Sequence, residues 1–134
     1  MKIKGTLLKF DVLDGNNTRI SKDCKINIPE KVPLCYDFNF DMNHVLGNCA
    51  VERTDEGLIF EGNINEKTPI DMNALLKHSD IRGIGGYYTN VKSHFNNKHE
   101  RIVDSMDLKS CSITLHPVHP DYKFEILSEA INEN

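Results

Sequence analysis

Two histidines near the end of the chain form the pattern closest to a metal site. They lie three residues apart in His116-Pro117-Val118-His119-Pro120, a segment stiffened by its prolines. Imidazoles are common zinc ligands, but a zinc site takes three or four protein ligands and the spacing here supplies no third one. We therefore expect two surface histidines and no bound metal.

Three further patterns point to other chemistry and are incomplete. The segment Asp37–Asp41 alternates Asp and Asn like a calcium loop, but it lacks the glycine and the terminal glutamate of an EF-hand. Gly83-Ile84-Gly85-Gly86 is not followed by a helical pattern, so it is not a dinucleotide fingerprint. Ser93 and His94 are neighbours in the sequence, and adjacent side chains seldom point at one another. No cofactor is expected.

The composition limits the classes of partner. The chain has 134 residues, 39% hydrophobic and 27% charged, which suits one ordinary globular domain. Its net charge is −4 and its basic residues are scattered, whereas nucleic-acid binders carry a basic face. We expect no direct contact with nucleic acid.

The cysteines and the apolar runs indicate a reduced setting without a membrane. The four cysteines are far apart, with no C-x-x-C pair: Cys24, Cys35, Cys49 and Cys111. The first ten residues lack the apolar core of a signal peptide, and no apolar run is long enough to span a bilayer. We expect free thiols, no zinc site and synthesis in the cytosol.

The elements that must position any site are strands. Val32–Ile64 predicts three strands with two tight returns, the second at Thr54-Asp55-Glu56-Gly57. Leu58, Phe60 and Gly62 alternate with Ile59, Glu61 and Asn63, a period of two that is typical of a half-buried strand.

The segments before this sheet and the one after it are less regular. Lys2–Leu13 predicts a long first strand, and Thr18–Ile28 predicts irregular or weakly β structure. After the sheet, apolar residues at helical spacing predict a helix of about ten residues. Thr68 is the expected N-cap, with Pro69 at the first helical position.

The last third of the chain again predicts strands. Ile81–Tyr88 is a glycine-dense strand, and Lys92–Arg101 is polar and aperiodic, so we expect an exposed hairpin loop there. Ile102–Leu115 predicts a long strand, and Tyr122–Leu127 predicts an edge strand. The inward set of the long strand is expected to be Met106, Leu108, Cys111, Ile113 and Leu115. Together these elements predict a mainly β (α+β) fold, a small closed or partly closed β-barrel with one short helix. We expect one domain over residues 1–127 and a polar C-terminal tail over 128–134.

This order of parts resembles the phage prohead (capsid maturation) serine protease family, whose fold the herpesvirus assemblins share. Five stretches carry the resemblance, in the family's order. They are G-x-L-x-x-F-D-V-x-D-G-N at Gly5–Asn16; Val32-Pro33-Leu34; Val45-Leu46-Gly47 with Glu52–Gly62; Gly83-Ile84-Gly85, similar to the family's S-I-G; and Asp107–Pro120, similar to its E-[VI]-S-L strand.

The resemblance also locates three catalytic positions, and each holds a different residue type here. The family's histidine lies seven residues before the glycine that is Gly47, which is Phe40 in this chain. The nucleophilic serine opens S-I-G, where this chain has Gly83. The acidic residue precedes the strand serine, Ser112, by two, which gives Ser110. Phe40 cannot accept a proton, Gly83 has no side chain, and Ser110 carries only a hydroxyl where the family has an acid. These three residues cannot form the catalytic relay of a serine protease.

An active enzyme would have to use displaced residues. His44, four residues past Phe40, is the alternative base, and Ser112 is the fallback nucleophile. Ser79, Thr89 and Ser110 are further hydroxyls that the resemblance brings near. For Ser112 the interpretation that we favour is a strand hydroxyl bonded to backbone.

The resemblance implies a virion setting, assembled in the host cytoplasm. Our hypothesis is a catalytically inactive auxiliary or decoration protein that binds the major capsid protein, with other virion proteins as neighbours. A homo-oligomer is compatible with this hypothesis. The alternatives are an active prohead maturation protease with His44 as base and a regulatory partner of the true protease.

Overall fold

Eight strands and one short helix make up the chain in a computed structural model, which describes residues 1–39 and 44–128. The elements are β1 (Lys2–Lys9), β2 (Thr18–Asn27), β3 (Val32–Tyr36), β4 (Val45–Arg53), β5 (Gly57–Ile64), α1 (Met72–Lys77), β6 (Gly83–Phe95), β7 (Arg101–Thr114) and β8 (Phe124–Ser128). The mainly β class with a short helix is confirmed. Within the described ranges no helix is long and apolar enough to cross a membrane.

One sheet contains all eight strands, and β7 is its hub. The order is β2-β7-β3-β4-β5-β1-β8, and β6 pairs with the other edge of β7. The first half of β7 pairs in parallel with β2, and its second half pairs in parallel with β3. The predicted hairpins β3–β4 and β4–β5 are both antiparallel, as expected. The fourteen residues of β7 therefore position three other strands.

The closed form of the barrel is not confirmed, because the sheet is not closed. Its two ends, β6 and the segment before β8, meet at the single bridge Gly83–Lys123. The Ile84 N–H donates to the Tyr122 carbonyl at 3.0 Å, and the Phe124 N–H donates to the Arg82 carbonyl at 2.9 Å. Beyond this point β8 pairs with β1.

Apolar side chains from most of the strands fill the interior. Leu34, Leu46, Leu58, Phe60 and Ile113 are among the buried core residues. All four cysteines are free thiols, as the sequence predicts, and all four are buried. Alternation along the strands places the intervening side chains on the outer face of the sheet.

The helix begins later and is shorter than predicted. Its N-cap is Asp71, whose carboxylate accepts a 3.1 Å hydrogen bond from the Ala74 N–H, and it spans only six residues. The assignment of Thr68 to this role is wrong, because its hydroxyl is bonded to Ile70 within the preceding turn. Asp is as good a cap as Thr, and here it lies three residues before an available N–H.

Three predictions about strands are refined as well. Thr18–Asn27 is a continuous strand, and the irregularity expected there lies in its parallel pairing with β7, which is broken between Ile20 and Lys25. The hairpin loop predicted over Lys92–Arg101 is shorter than expected, since β6 continues to Phe95 and β7 begins at Arg101, which leaves residues 96–100 as the turn. Leu115 is 55% exposed, because β7 ends at Thr114. A strand that is solvated on both faces has no apolar period to reveal it.

A charged clamp fastens the turn between β6 and β7 to the start of β2. The Arg19 guanidinium donates to both carboxylate oxygens of the buried Glu100, at 3.1 and 3.3 Å, and to the Asp11 carbonyl at 2.8 Å. The Asn96 amide adds a 2.9 Å hydrogen bond to Glu100. These hydrogen bonds, from Arg19 first and then from Asn96, hold the pKa of the Glu100 carboxyl below its ordinary value.

Glu100→Gln is expected to lower the free energy of unfolding at neutral pH, because the charged bidentate pair is lost. A carboxyl whose pKa falls on folding stabilises the fold above its unfolded pKa, and that stabilisation disappears as the pH falls through the folded pKa. The difference between wild type and variant should therefore be largest near pH 7 and shrink progressively below about pH 4. Urea unfolding at several pH values measures it, and a difference that grows on acidification would contradict the clamp.

Candidate functional site

The positions that the sequence singles out meet on the outer face of β3, β7 and β6. Pairing places Cys35 beside Ser112 and Ser112 beside Gly85, so the three residues share one face. Cys111 and Ile113, which alternate with Ser112 along β7, belong to the core. The outer face of β7 here carries three buried hydroxyls in a row: Ser110, Ser112 and Thr114. We call these three residues the hydroxyl row.

Gly83, the position of the expected nucleophile, has no room for a side chain. It opens β6 and pairs with Thr114. A Cβ built on Gly83 would lie 2.5 Å from the Thr114 carbonyl oxygen and 2.8 Å from Cδ of Pro117. Both separations are shorter than van der Waals contact, and the first obstacle is backbone. Any side chain at this position, a serine included, requires β6 to move away from β7.

Ser112 uses its hydroxyl to hold the chain that leaves β3. Its Oγ accepts a 2.6 Å hydrogen bond from the Phe38 N–H and donates to the Ile113 carbonyl at 3.4 Å. Both Asp37 and Phe38 have positive φ, 56° each, a conformation that is unfavourable for residues other than glycine. The hydrogen bond to Ser112 therefore helps to fix a turn that the backbone alone disfavours.

The Phe38 ring packs on Gly85 of β6, the residue that pairs with Ser112 of the hydroxyl row. A Cβ at Gly85 would come within 2.7 Å of the ring atom Cζ, so only a glycine admits the ring there. The same ring borders a cavity of about 110 Å³ with Gly86, Tyr88 and Thr114. The ring is 40% exposed, so it lies over this part of the sheet with one side in solvent. No spacing in the sequence distinguishes Phe38 from the neighbouring aromatic residues, so sequence reasoning misses it.

Ser110 contrasts with Ser112. It is buried opposite Tyr87, and its Oγ has no hydrogen-bond partner within the part of the chain that the structure describes. A hydroxyl in this state is desolvated without compensation, so it carries a free-energy cost.

His44 lies on the far side of β3 from Ser112. The His44 carbonyl accepts a 3.0 Å hydrogen bond from the Tyr36 N–H, and Tyr36 pairs with Ile113 on the other side. Two strand spacings put the backbone of His44 about 10 Å from β7. Phe40 lies outside the described residues.

Ser93, His94 and Ser79 contact groups close to them, whereas the Thr89 hydroxyl is buried without a hydrogen-bond partner among the described residues. Ser93 Oγ accepts from Arg101 Nε at 2.9 Å, while His94 Nδ1 lies 2.7 Å from the Asp104 carboxylate, so Ser93 and His94 face opposite ways. Ser79 accepts from the Ile81 N–H at 3.4 Å in the exit from the helix.

The two histidines after β7 have different surroundings. His119 stacks on Tyr122 with ring centroids 5.0 Å apart and accepts from the Asp121 N–H. His116 is exposed. Among residues 1–39 and 44–128 no group of three or more His, Cys, Asp or Glu side chains is arranged to hold a metal ion.

Cys35 is a nucleophile type at this face that the sequence pattern does not single out. Burial raises the pKa of its thiol, and the neighbouring Cys49 raises it further. The reactive form of cysteine is the thiolate, which a raised pKa disfavours at neutral pH. A thiol with a raised pKa is therefore mostly protonated at neutral pH.

Comparison with known families identifies a match over the whole chain. A family model described as caudovirus prohead serine protease matches residues 1–134, which is the whole chain. Searches of curated proteins and of solved structures each returned no match.

Ser112→Ala is expected to destabilise the protein by about 1–3 kcal/mol, because it leaves the Phe38 N–H without its acceptor. Ser110→Ala is the matched control on the same strand and face. Since the Ser110 hydroxyl has no described partner, its removal should be neutral or stabilising. Chemical denaturation of the two variants decides between them, and equal losses would contradict the role assigned to Ser112.

Gly83→Ser, which restores the expected nucleophile type, should cost about 1–3 kcal/mol of stability because of the close approach of Thr114 and Pro117. Gly83→Ala should cost a similar amount, since the conflict begins at Cβ and not at the hydroxyl. Thermal unfolding of both variants measures the effect. A serine variant as stable as wild type would show that the position still accepts a side chain.

Proposed function

Because this chain belongs to the caudovirus prohead serine protease family, we propose that it is a non-hydrolytic member, a phage structural protein that binds the major capsid protein. In this proposal the family fold is retained as a binding module, and the outer face of β3, β7 and β6 has become a structural element.

The observation that carries the proposal is the state of Gly83. A serine protease needs a hydroxyl at the nucleophile position, and this position has neither a side chain nor space for one. A serine at position 83 would not by itself restore a nucleophile, because the packing of β6 against β7 and Pro117 leaves no space for its side chain.

The surroundings of Ser112 support the same conclusion. A catalytic serine gives its proton to a base that a third group orients. The Ser112 proton points to the Ile113 carbonyl, its lone pair accepts from the Phe38 N–H, and its side chain is fully buried. A substrate carbonyl would have to displace Phe38 to reach it.

The family supports the choice of partner. Its members are described as prohead proteases, which implies association with phage capsid proteins. A member without catalysis retains a use for that association as an auxiliary or decoration component of the virion. The net charge of −4 gives no reason to prefer the packaged nucleic acid as partner. Many copies on a symmetric shell would also tolerate a weak single contact.

Purified protein mixed with shells of the phage's major capsid protein is expected to sediment with them at a stoichiometric ratio and to leave the capsid protein at full length. Mature particles should contain it in a fixed copy number by quantitative mass spectrometry. The same mixture analysed for fragments tests the active alternative, with His44→Ala as the control variant.

Each outcome of this experiment has a distinct meaning. Capsid fragments that appear with wild type and disappear with His44→Ala would overturn the proposal in favour of a displaced protease. Presence in procapsids and absence from mature virions would replace decoration with a role beside the true protease. Failure to sediment with shells of either form would remove the capsid protein as partner.

A further inference from the structure

The distal part of β6, Asn90–Phe95, is a strand with an open edge. These six residues are exposed on both faces, and β7 pairs with one edge of the strand. No described residue pairs with the backbone of its other edge. Unpaired N–H and C=O groups in a row are a template for another strand. The pairing with β7 shifts register between Thr89 and Lys92 and between Lys92 and Ser93. The second shift skips Asp104 of β7, so the alternation along β6 itself continues there. We call Asn90–Phe95 the open edge.

Side-chain contacts establish which residues of the open edge share a face. Ser93 contacts Arg101, which pairs with Phe95, so Ser93 and Phe95 lie on one face together with Val91. His94 contacts Asp104 on the opposite face, which it shares with Lys92 by alternation.

The apolar residues of the open edge lack cover. Val91 is 36% exposed and Phe95 is 69% exposed, the largest exposure among the large hydrophobic side chains that the structure describes. They lie four residues apart on one face, with Ser93 midway between them. This spacing is symmetric about Ser93.

That symmetry makes the open edge complementary to itself. In an antiparallel pair with a two-fold axis through Ser93, Val91 of one copy lies opposite Phe95 of the other, and the contact occurs twice. Side chains directly opposite in such a pair come within about 4.5–5.5 Å at Cβ, close enough for an aromatic and a β-branched residue to pack.

The charges on the other face agree with the same register. Lys92 of one copy lies opposite His94 of the other, whose ring is 2.7 Å from the Asp104 carboxylate. The ammonium group is therefore brought next to a carboxylate, again twice. A shift of the axis by one residue along the strand, to Lys92 itself, would place the two lysines opposite each other and separate Val91 from Phe95.

We propose that this protein self-associates as a symmetric dimer through the open edge, with Val91 packed on Phe95 of the second copy. The strand is short, so the interface belongs to the small class below about 1,200 Å², and the dimer is expected to be weak and concentration-dependent. This inference rests on the edge alone and stands whether or not the proposed function holds.

Sedimentation equilibrium of the full chain tests it, between about 1 µM and about 500 µM, a range that brackets weak association. The weight-average mass of wild type should rise from 15.3 kDa towards twice that value. Val91→Glu and Phe95→Lys should each hold the mass at the monomer value, with unchanged circular dichroism. The double variant V91E/F95K should recover association, because each glutamate then faces a lysine of the second copy, and added salt should weaken it.

Leu127→Lys is the matched control, a charge placed on an exposed apolar residue of the edge strand β8, and it should associate like wild type. Wild type that stays monomeric over the whole range would overturn the proposal. Single variants that associate as wild type would also overturn it, as would a double variant that remains monomeric while both single variants do.

Discussion

Strand β7 is buried on both faces from Ser110 to Thr114, and the rest of the fold depends on this constraint. Its inner face contributes Cys111 and Ile113 to the core, and its edges hold β2, β3 and β6. A strand in this position must satisfy its polar side chains locally, because water does not reach them. The hydroxyl row therefore has a structural role: Ser112 and Thr114 form hydrogen bonds with backbone groups, and Ser110 has no described partner.

The turn after β3 is a consequence of the same constraint. Asp37 and Phe38 take an unfavourable backbone conformation, and the Asp37 N–H donates to the Ile113 carbonyl while the Phe38 N–H donates to Ser112. The turn is thus fastened to β7 at two successive points, which places the Phe38 ring on Gly85. The glycine at position 85 of β6 is explained by this close packing of ring and backbone. Under the proposed function, burial and hydrogen bonding at one strand occupy the space that a hydrolytic site would need.

Strands with a clear apolar period can be predicted from the sequence, and features that depend on distant contacts cannot. Leu58 and Phe60 alternate because one face of β5 is buried, so that strand is visible. The distal half of β6 is solvated on both faces and has the polar, aperiodic pattern of a loop. Pro69 makes Thr68 the expected helix cap, whereas the side chain that bonds a free N–H is that of Asp71. The number of strands favours a closed barrel, whereas in the described part of the chain the two ends pair only at the bridge between Gly83 and Lys123.

In the candidate site, too, local sequence patterns can be interpreted and contacts between distant segments cannot. Counting along motifs assigns roles to Gly83 and Ser110, and the structure places both residues on one face of the adjacent strands β6 and β7. The roles of Phe38 and Cys35 depend on the parallel pairing of β3 with β7, which joins segments more than seventy residues apart and leaves no pattern in the sequence. Family membership is visible because it rests on the order of several short motifs, each of which reports a turn or a buried strand.

Reaction with a fluorophosphonate, followed by intact-mass measurement, tests the central claim most directly. Such a reagent adds covalently to a serine only where a base activates the hydroxyl. The packed outer face predicts that the mass remains unchanged after prolonged exposure. A stoichiometric adduct on Ser110 or Ser112, abolished by His44→Ala, would contradict the account.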